Sequence, residues 1–176
     1  MMERSDQSVT QGSRDDICER ERYIAACHEA GHAMAACMRG VPITGLWLGP
    51  DGEAEIRIKN GSGTEYAFIA FAGPWAEVRA QWTKSCRNDD AVDDDGRCFA
   101  DHLAVAFCHN QKDSLDYHRE VEGDIRAAID ASAAAMFFPD EIPPRITPPG
   151  NWDAELEARW PEIQEWAATM LADAEV

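Results

Sequence analysis

The residues with the clearest chemical potential are two histidines four positions apart, His28 and His32, with Glu29 between them. In a helix, residues four apart project from the same side, so the two imidazoles can bind one tetrahedral metal ion. Glu29 points elsewhere in the same turn, where it can take a proton from a water molecule activated by the metal. This H-E-x-x-H pattern predicts a zinc hydrolase with Zn²⁺ as cofactor and Glu29 as catalytic base.

A catalytic zinc ion normally has a third protein ligand and one position left for water. The long metzincin pattern would need Gly at position 35 and His at position 38, and the chain has Ala35 and Met38 there. Two acidic residues farther along the chain remain as candidates, Glu77 and Asp101. The residues alone leave both open.

Three motifs in this order resemble the peptidase domain of the FtsH-type ATP-dependent zinc proteases. The run HEAGHA at 28–33 carries the first, and the other two comprise Ala72, Gly73, Ala76 and Glu77, and then Asp101, Leu103 and Ala104. The resemblance covers roughly residues 20–110. It implies a zinc peptidase in which His28, His32 and Asp101 bind the metal, and in which Glu77 is a supporting acid that orients a ligating histidine.

Charge and length limit the other classes of function. The 176 residues include 16 Lys and Arg against 33 Asp and Glu, a formal net charge of -17. This charge repels nucleic acid and anionic lipid, so we expect neither a nucleic-acid nor a membrane partner. The sequence has no apolar run of the roughly 20 residues that would span a bilayer and no signal peptide, which predicts a cytoplasmic protein.

Hydrophobic periodicity predicts the elements that would position these residues. We expect a disordered tail at 1–15 and a single domain at 16–176. The first helix should begin at Asp15 or Asp16, run to Arg39 and end at Gly40. The other elements expected are strands at 41–48 and 53–59, and helices at 64–82, 97–108, 114–138 and 153–172, with Gly73-Pro74 bending the second helix. The predicted fold is α+β, mainly helical, with a small β hairpin beside the HEAGH helix.

The functional prediction is a zinc metallopeptidase that cleaves peptide bonds. Since the chain contains no GxxxxGK[ST] phosphate loop, we expect it to act on flexible or unfolded polypeptides, or on clients that a separate ATPase delivers. Two alternatives remain open. One is a catalytically inactive, peptidase-like interaction module, and the other is a zinc amidohydrolase with a non-peptide substrate.

Overall fold

The computed structural model describes residues 8–49, 53–59, 63–84, 87, 90–121, 123, 125–137 and 141–174. The elements in chain order are α1 (Ser8–Met38), β1 (Ile43–Leu48), β2 (Ala54–Ile58), α2 (Thr64–Gln81), α3 (Phe99–His109), α4 (Gln111–Val121), α5 (Arg126–Phe137), α6 (Trp152–Ala158) and α7 (Trp160–Ala174). The predicted α+β class, mainly helical with a small hairpin, is confirmed. Over the described ranges, no helix is both long and apolar enough to cross a membrane.

The first helix is longer than the sequence predicts. It begins at Ser8, whereas we expected a tail as far as residue 15 and a helix that begins at Asp15 or Asp16. The expectation for residues 1–7 lies outside the described residues. The helix ends at Met38, and Gly40 follows with a φ of 68°, a left-handed conformation that suits glycine and stops the helix where expected.

Small residues allow α1 and α2 to cross at close range. A Cβ added at Gly31 would lie 2.5 Å from the Ala72 carbonyl oxygen and 2.7 Å from the Ala76 Cβ. No side chain larger than hydrogen fits between the two backbones at this point. The close crossing brings the turn of α1 that carries both histidines against the middle of α2, which runs through Pro74 as one helix.

The hairpin follows α1 in sequence and packs beside it. Its strands are antiparallel, with Leu46 opposite Ile56, and an irregularity in pairing lies between Ile43 and Gly45. Along β2, residues alternate between half-buried and exposed, as expected when one face of a strand packs on a helix.

The second half of the chain contains shorter helices than expected. The helix predicted at 114–138 is divided into α4 and α5, with Gly123 at a φ of 67° between them. The helix predicted at 153–172 is likewise divided, into α6 and α7, at Arg159. A single residue, Asn110, separates α3 from α4.

The core is one cluster of buried side chains that draws on α1, α2, α3, α4, α6 and α7. Aromatic rings dominate its centre, and Phe71 of α2 lies within 5.7–6.2 Å, centroid to centroid, of Phe107, Tyr117 and Trp152. This cluster holds α4 against α2. It therefore fixes the position of the first turn of α4 relative to the histidines.

Candidate metal centre

His28 and His32 each use one ring nitrogen to bond with a neighbouring element. His32 Nδ1 lies 2.6 Å from the carbonyl oxygen of Ile69, and His28 Nδ1 lies 3.1 Å from Glu77 Oε2. A carbonyl oxygen and a carboxylate can only accept a hydrogen bond, so both Nδ1 atoms donate. In the neutral tautomers, both Nε2 atoms then carry a free lone pair and can bind a metal ion.

The third group at this site is Asp113, in the first turn of α4. Its Oδ2 lies 3.1 Å from His28 Nε2 and 3.3 Å from His32 Nε2, and the two Nε2 atoms lie 3.1 Å apart. His32 and Asp113 are buried, and His28 is half-buried. These three side chains form a group that could hold a metal ion.

The dimensions of this triangle fit a small tetrahedral ion. Ligand atoms about 2.0–2.1 Å from zinc at tetrahedral angles are about 3.3–3.4 Å from one another. The observed separations of 3.1–3.3 Å need only a slight expansion to reach that geometry. Two nitrogens and one carboxylate oxygen are also a donor set that zinc accepts, with room for a fourth ligand.

Gly73 leaves open the space beside the ligand atoms. A Cβ at this position would lie 2.8 Å from His28 Nε2 and still closer to His32 Nε2. Any other residue at position 73 would fill this space with its side chain. The sequence thus places glycine at a point of α2 where a methyl group would obstruct both imidazoles.

Asp101, predicted as the third ligand, does not belong to this cluster. It lies in the first turn of α3, where its Oδ2 accepts the backbone N–H of Cys98 at 3.1 Å in a capping box. Its Oδ1 accepts a hydrogen bond of 2.8 Å from Arg145 Nε. The guanidinium of Arg145 also holds the pKa of the Asp101 carboxyl below its usual range. This carboxylate caps a helix and anchors the segment around Arg145.

Glu77, predicted as a supporting acid, bonds with His28. Besides the bond from His28, its Oε2 accepts a hydrogen bond of 2.9 Å from Asn110 Nδ2. Although burial raises the pKa of Glu77, its hydrogen bonds with His28 and Asn110 lower it overall, so the group stays ionised. An ionised Glu77 fixes the ring orientation and tautomer of His28.

The metal-free cluster is a strongly coupled group of charges. Burial lowers the pKa of His28, but its hydrogen bonds with Asp113 and Glu77 outweigh burial and raise it to about 10. Burial raises the pKa of Asp113, but the charge of His32 and the hydrogen bonds with both histidines bring it well below its usual range. Without a cation, a proton on His28 offsets part of the negative charge of the two carboxylates. A metal ion would take over that role.

Glu29 lies beside His28 in a cleft of about 420 Å³. Its side chain is half-buried, and the cleft is also lined by Glu77 and Asn110. A second cleft of about 410 Å³ includes His32 and Asp113 in its wall. Each of the two clefts therefore borders part of the cluster.

Sequence reasoning missed Asp113 because we expected the helix after residue 108 to begin only at Ser114. A weak signal was present, since an acid followed by an apolar period is typical of a helix's first turn. Within the described ranges, no other trio of His, Cys, Asp and Glu ligand atoms is grouped in this way.

Comparisons of the chain with models of protein families, with curated proteins and with solved structures find no match. The resemblance carried by the HEAGHA run therefore stays a prediction about family. The geometry of the cluster is the feature from which a function can be inferred.

Proposed function

We propose that the chain is a zinc-dependent hydrolase of the metallopeptidase type that cleaves peptide bonds in flexible or unfolded polypeptides. The observation that carries the proposal is the triangle formed by His28, His32 and Asp113, with a carboxylate, Glu29, one residue from the first ligand. A purely structural metal site has no use for a base beside it. A hydrolytic site needs one.

His28 and His32 would hold the ion through their Nε2 atoms, and Asp113 through a carboxylate oxygen. When bound, zinc polarises a carbonyl oxygen and lowers the pKa of water. The Glu29 carboxylate takes a proton from the attacking water as the water oxygen bonds to the carbonyl carbon. The same carboxyl then gives that proton to the amide nitrogen as the C–N bond breaks, and a free amine and a carboxylic acid result.

The strand β2 supports a polypeptide as substrate. Ala54 lines the cleft that contains Glu29, while Ile56, Arg57 and Ile58 line the cleft that contains Asp113. Successive residues of a strand point to opposite faces, so a cleft lined by three in a row runs along the strand's edge. Among the described strands, β2 pairs only with β1. An extended substrate segment can pair with the free edge of β2 and so lie beside the metal cluster.

The test compares Glu29→Gln with Glu21→Gln. Glu21 lies on the same helix and lines the same cleft, so it is a control for the loss of one acid there. Both variants should hold one zinc per chain, because neither change removes a ligand. Glu29→Gln should reduce hydrolysis of unfolded casein by about 100-fold or more, and Glu21→Gln should stay close to the original rate.

Two results would contradict the proposal. Equal rates for the Glu29→Gln variant and the unaltered protein would place the chemistry elsewhere. A protein that binds zinc at His28 and His32 but cleaves neither casein nor a peptide library would be an interaction module.

A further inference from the structure

A groove of about 760 Å³ lies between β1 and α7, and none of its lining residues lines either cleft at the metal cluster. We call it the β1–α7 groove, and it is lined by Ile43, Leu46, Trp47, Leu48, Glu165, Trp166, Thr169, Met170, Asp173 and Ala174. Leu46, Trp47 and Leu48 are consecutive in β1. Because their side chains alternate between the faces of the sheet, a groove that all three line must follow the edge of the strand.

That edge has no strand partner in the described part of the chain. The sheet has two strands, and β1 pairs with β2 on one side only. In an antiparallel pair, every second residue directs its backbone N–H and C=O away from its partner. On β1 these groups lie on the side without a strand partner among the described residues, where a further strand could bond with them.

Two large apolar side chains of the groove are accessible to solvent. Trp47 is 53% exposed and Leu46 is 36% exposed, and Trp166 on the opposite wall is half-buried. Large aromatic side chains that stay accessible beside an open strand edge are the groups that anchor a bound peptide.

The charged groups of the groove all have one sign. Glu165 and Asp173 are exposed on α7, two turns apart, and they are the charged residues among those that line the groove. The chain as a whole carries a net charge of -17. An acidic rim favours a partner with Lys or Arg and repels a second copy of the same chain.

We propose that the β1–α7 groove binds an extended segment of a partner protein, which adds a strand to β1. The segment places apolar side chains against Trp47 and Trp166, and flanking Lys or Arg side chains beside Glu165 and Asp173. Backbone hydrogen bonds to β1 supply affinity, and the apolar walls and acidic rim supply specificity. The groove is separate from the metal cluster, so this inference does not depend on the proposed hydrolytic function.

The test uses a fluorescently labelled peptide with alternating Val and Thr and two Lys at each end, and binding is measured by fluorescence anisotropy at low salt. A second peptide has Glu in place of each Lys. Two further peptides are N-methylated on alternate residues, one on the odd-numbered and one on the even-numbered positions. The Lys peptide should bind at least about tenfold more tightly than the Glu peptide. One of the two N-methylated peptides should fail to bind, because its methyl groups replace the N–H groups that would donate hydrogen bonds to β1.

Variants of the protein locate the binding. Trp47→Thr should weaken binding of the Lys peptide by about tenfold or more. Ile129→Thr is the control, because Ile129 on α5 is also 53% exposed but lies outside the groove. The circular dichroism of both variants should match that of the unaltered protein, since both changes are at exposed positions.

A charge variant tests the rim without altering the apolar walls. The double change Glu165→Gln and Asp173→Asn should weaken binding by about fivefold. The matched control is Glu120→Gln with Asp130→Asn, which removes the same charge from exposed positions of α4 and α5.

Three results would overturn the proposal. The first is failure of the Lys peptide to bind, or equal affinity for the Lys and Glu peptides. The second is binding of both N-methylated peptides, or groove variants that behave like their controls. The third is a concentration-dependent dimer that Trp47→Thr abolishes, which would show that a second copy of the chain occupies the groove.

Discussion

Replacing Gly73 by alanine should separate metal binding from folding. The new methyl group would lie 2.8 Å from His28 Nε2 and closer to His32 Nε2, within the space that the two rings share. The nearest atoms are the ends of side chains, which can rotate away. Rotation breaks the bonds from Nδ1 to Glu77 or Ile69 and takes at least one Nε2 out of the ligand triangle.

The effect on stability should be modest. Alanine inside a helix is favoured over glycine by about 1 kcal/mol. Crowding of a packed site costs about 1–3 kcal/mol, so the free energy of unfolding should fall by roughly 0–2 kcal/mol. Loss of a residue that only orients a ligand reduces metal affinity by about 10–100-fold, and direct obstruction of two ligands should exceed the upper value. Gly73→Ala should therefore fold but bind zinc more than about 100-fold more weakly.

The assay is competition for zinc with a chromophoric chelator, together with urea unfolding in EDTA so that metal binding does not contribute to stability. Gly31→Ala is the comparison, because its new methyl group would meet the backbone oxygen of Ala72, which cannot rotate away. That variant should lose more stability than Gly73→Ala. A Gly73→Ala protein with zinc affinity within about threefold of the original would refute this account of the site.

Three further predictions concern the cluster. Asp113→Asn should weaken zinc binding by more than about tenfold in a chelator competition. Asp101→Asn should leave zinc binding nearly unchanged but lower the midpoint of urea unfolding, since Asp101 bonds with Arg145 and caps α3. The reverse pattern would indicate that Asp101 is the ligand. Zinc affinity should rise by about tenfold per pH unit between about pH 6 and 8, because binding displaces the proton held on His28, whose pKa is raised to about 10; a flat profile by competition titration would contradict this displacement. In the metal-free protein, the raised pKa of His28 contributes stability that is fully present below the pKa of the unfolded chain, near 6.5, and is lost as pH rises through about 10. The midpoint of urea unfolding in EDTA should therefore fall from pH 7 to 10. A His28→Gln variant with the same pH dependence would show that another group is responsible.

Local signals in the sequence were sufficient for the first half of the fold. The histidine spacing placed both rings on one side of α1, and Gly40 marked its end. Hydrophobic periodicity predicted the two strands of the hairpin that β1 and β2 form. These features depend on residues close in sequence, whose backbone preferences act within one element.

The third member of the cluster, Asp113, is brought there by tertiary packing, and no local pattern in the sequence predicts that packing. Asp101 and Asp113 are both acids in the first turn of a helix, and both are buried. What distinguishes them is that α4 packs closely on α2, whereas the start of α3 is joined to Arg145. The resemblance favoured Asp101 because of the motif around it. That motif does not indicate that α4 begins after the single residue Asn110.

The division of the cluster between elements has a consequence for the kinetics of metal exchange. The close crossing at Gly31 fixes the two imidazoles, whereas Asp113 comes from α4 and is joined to α3 through Asn110, the residue that also bonds with Glu77. A short outward movement of the first turn of α4 would remove one ligand and release the support of His28 at the same moment. Metal should then leave through local opening of α4, at a rate faster than global unfolding, and return to a pair of nitrogens that is already in place.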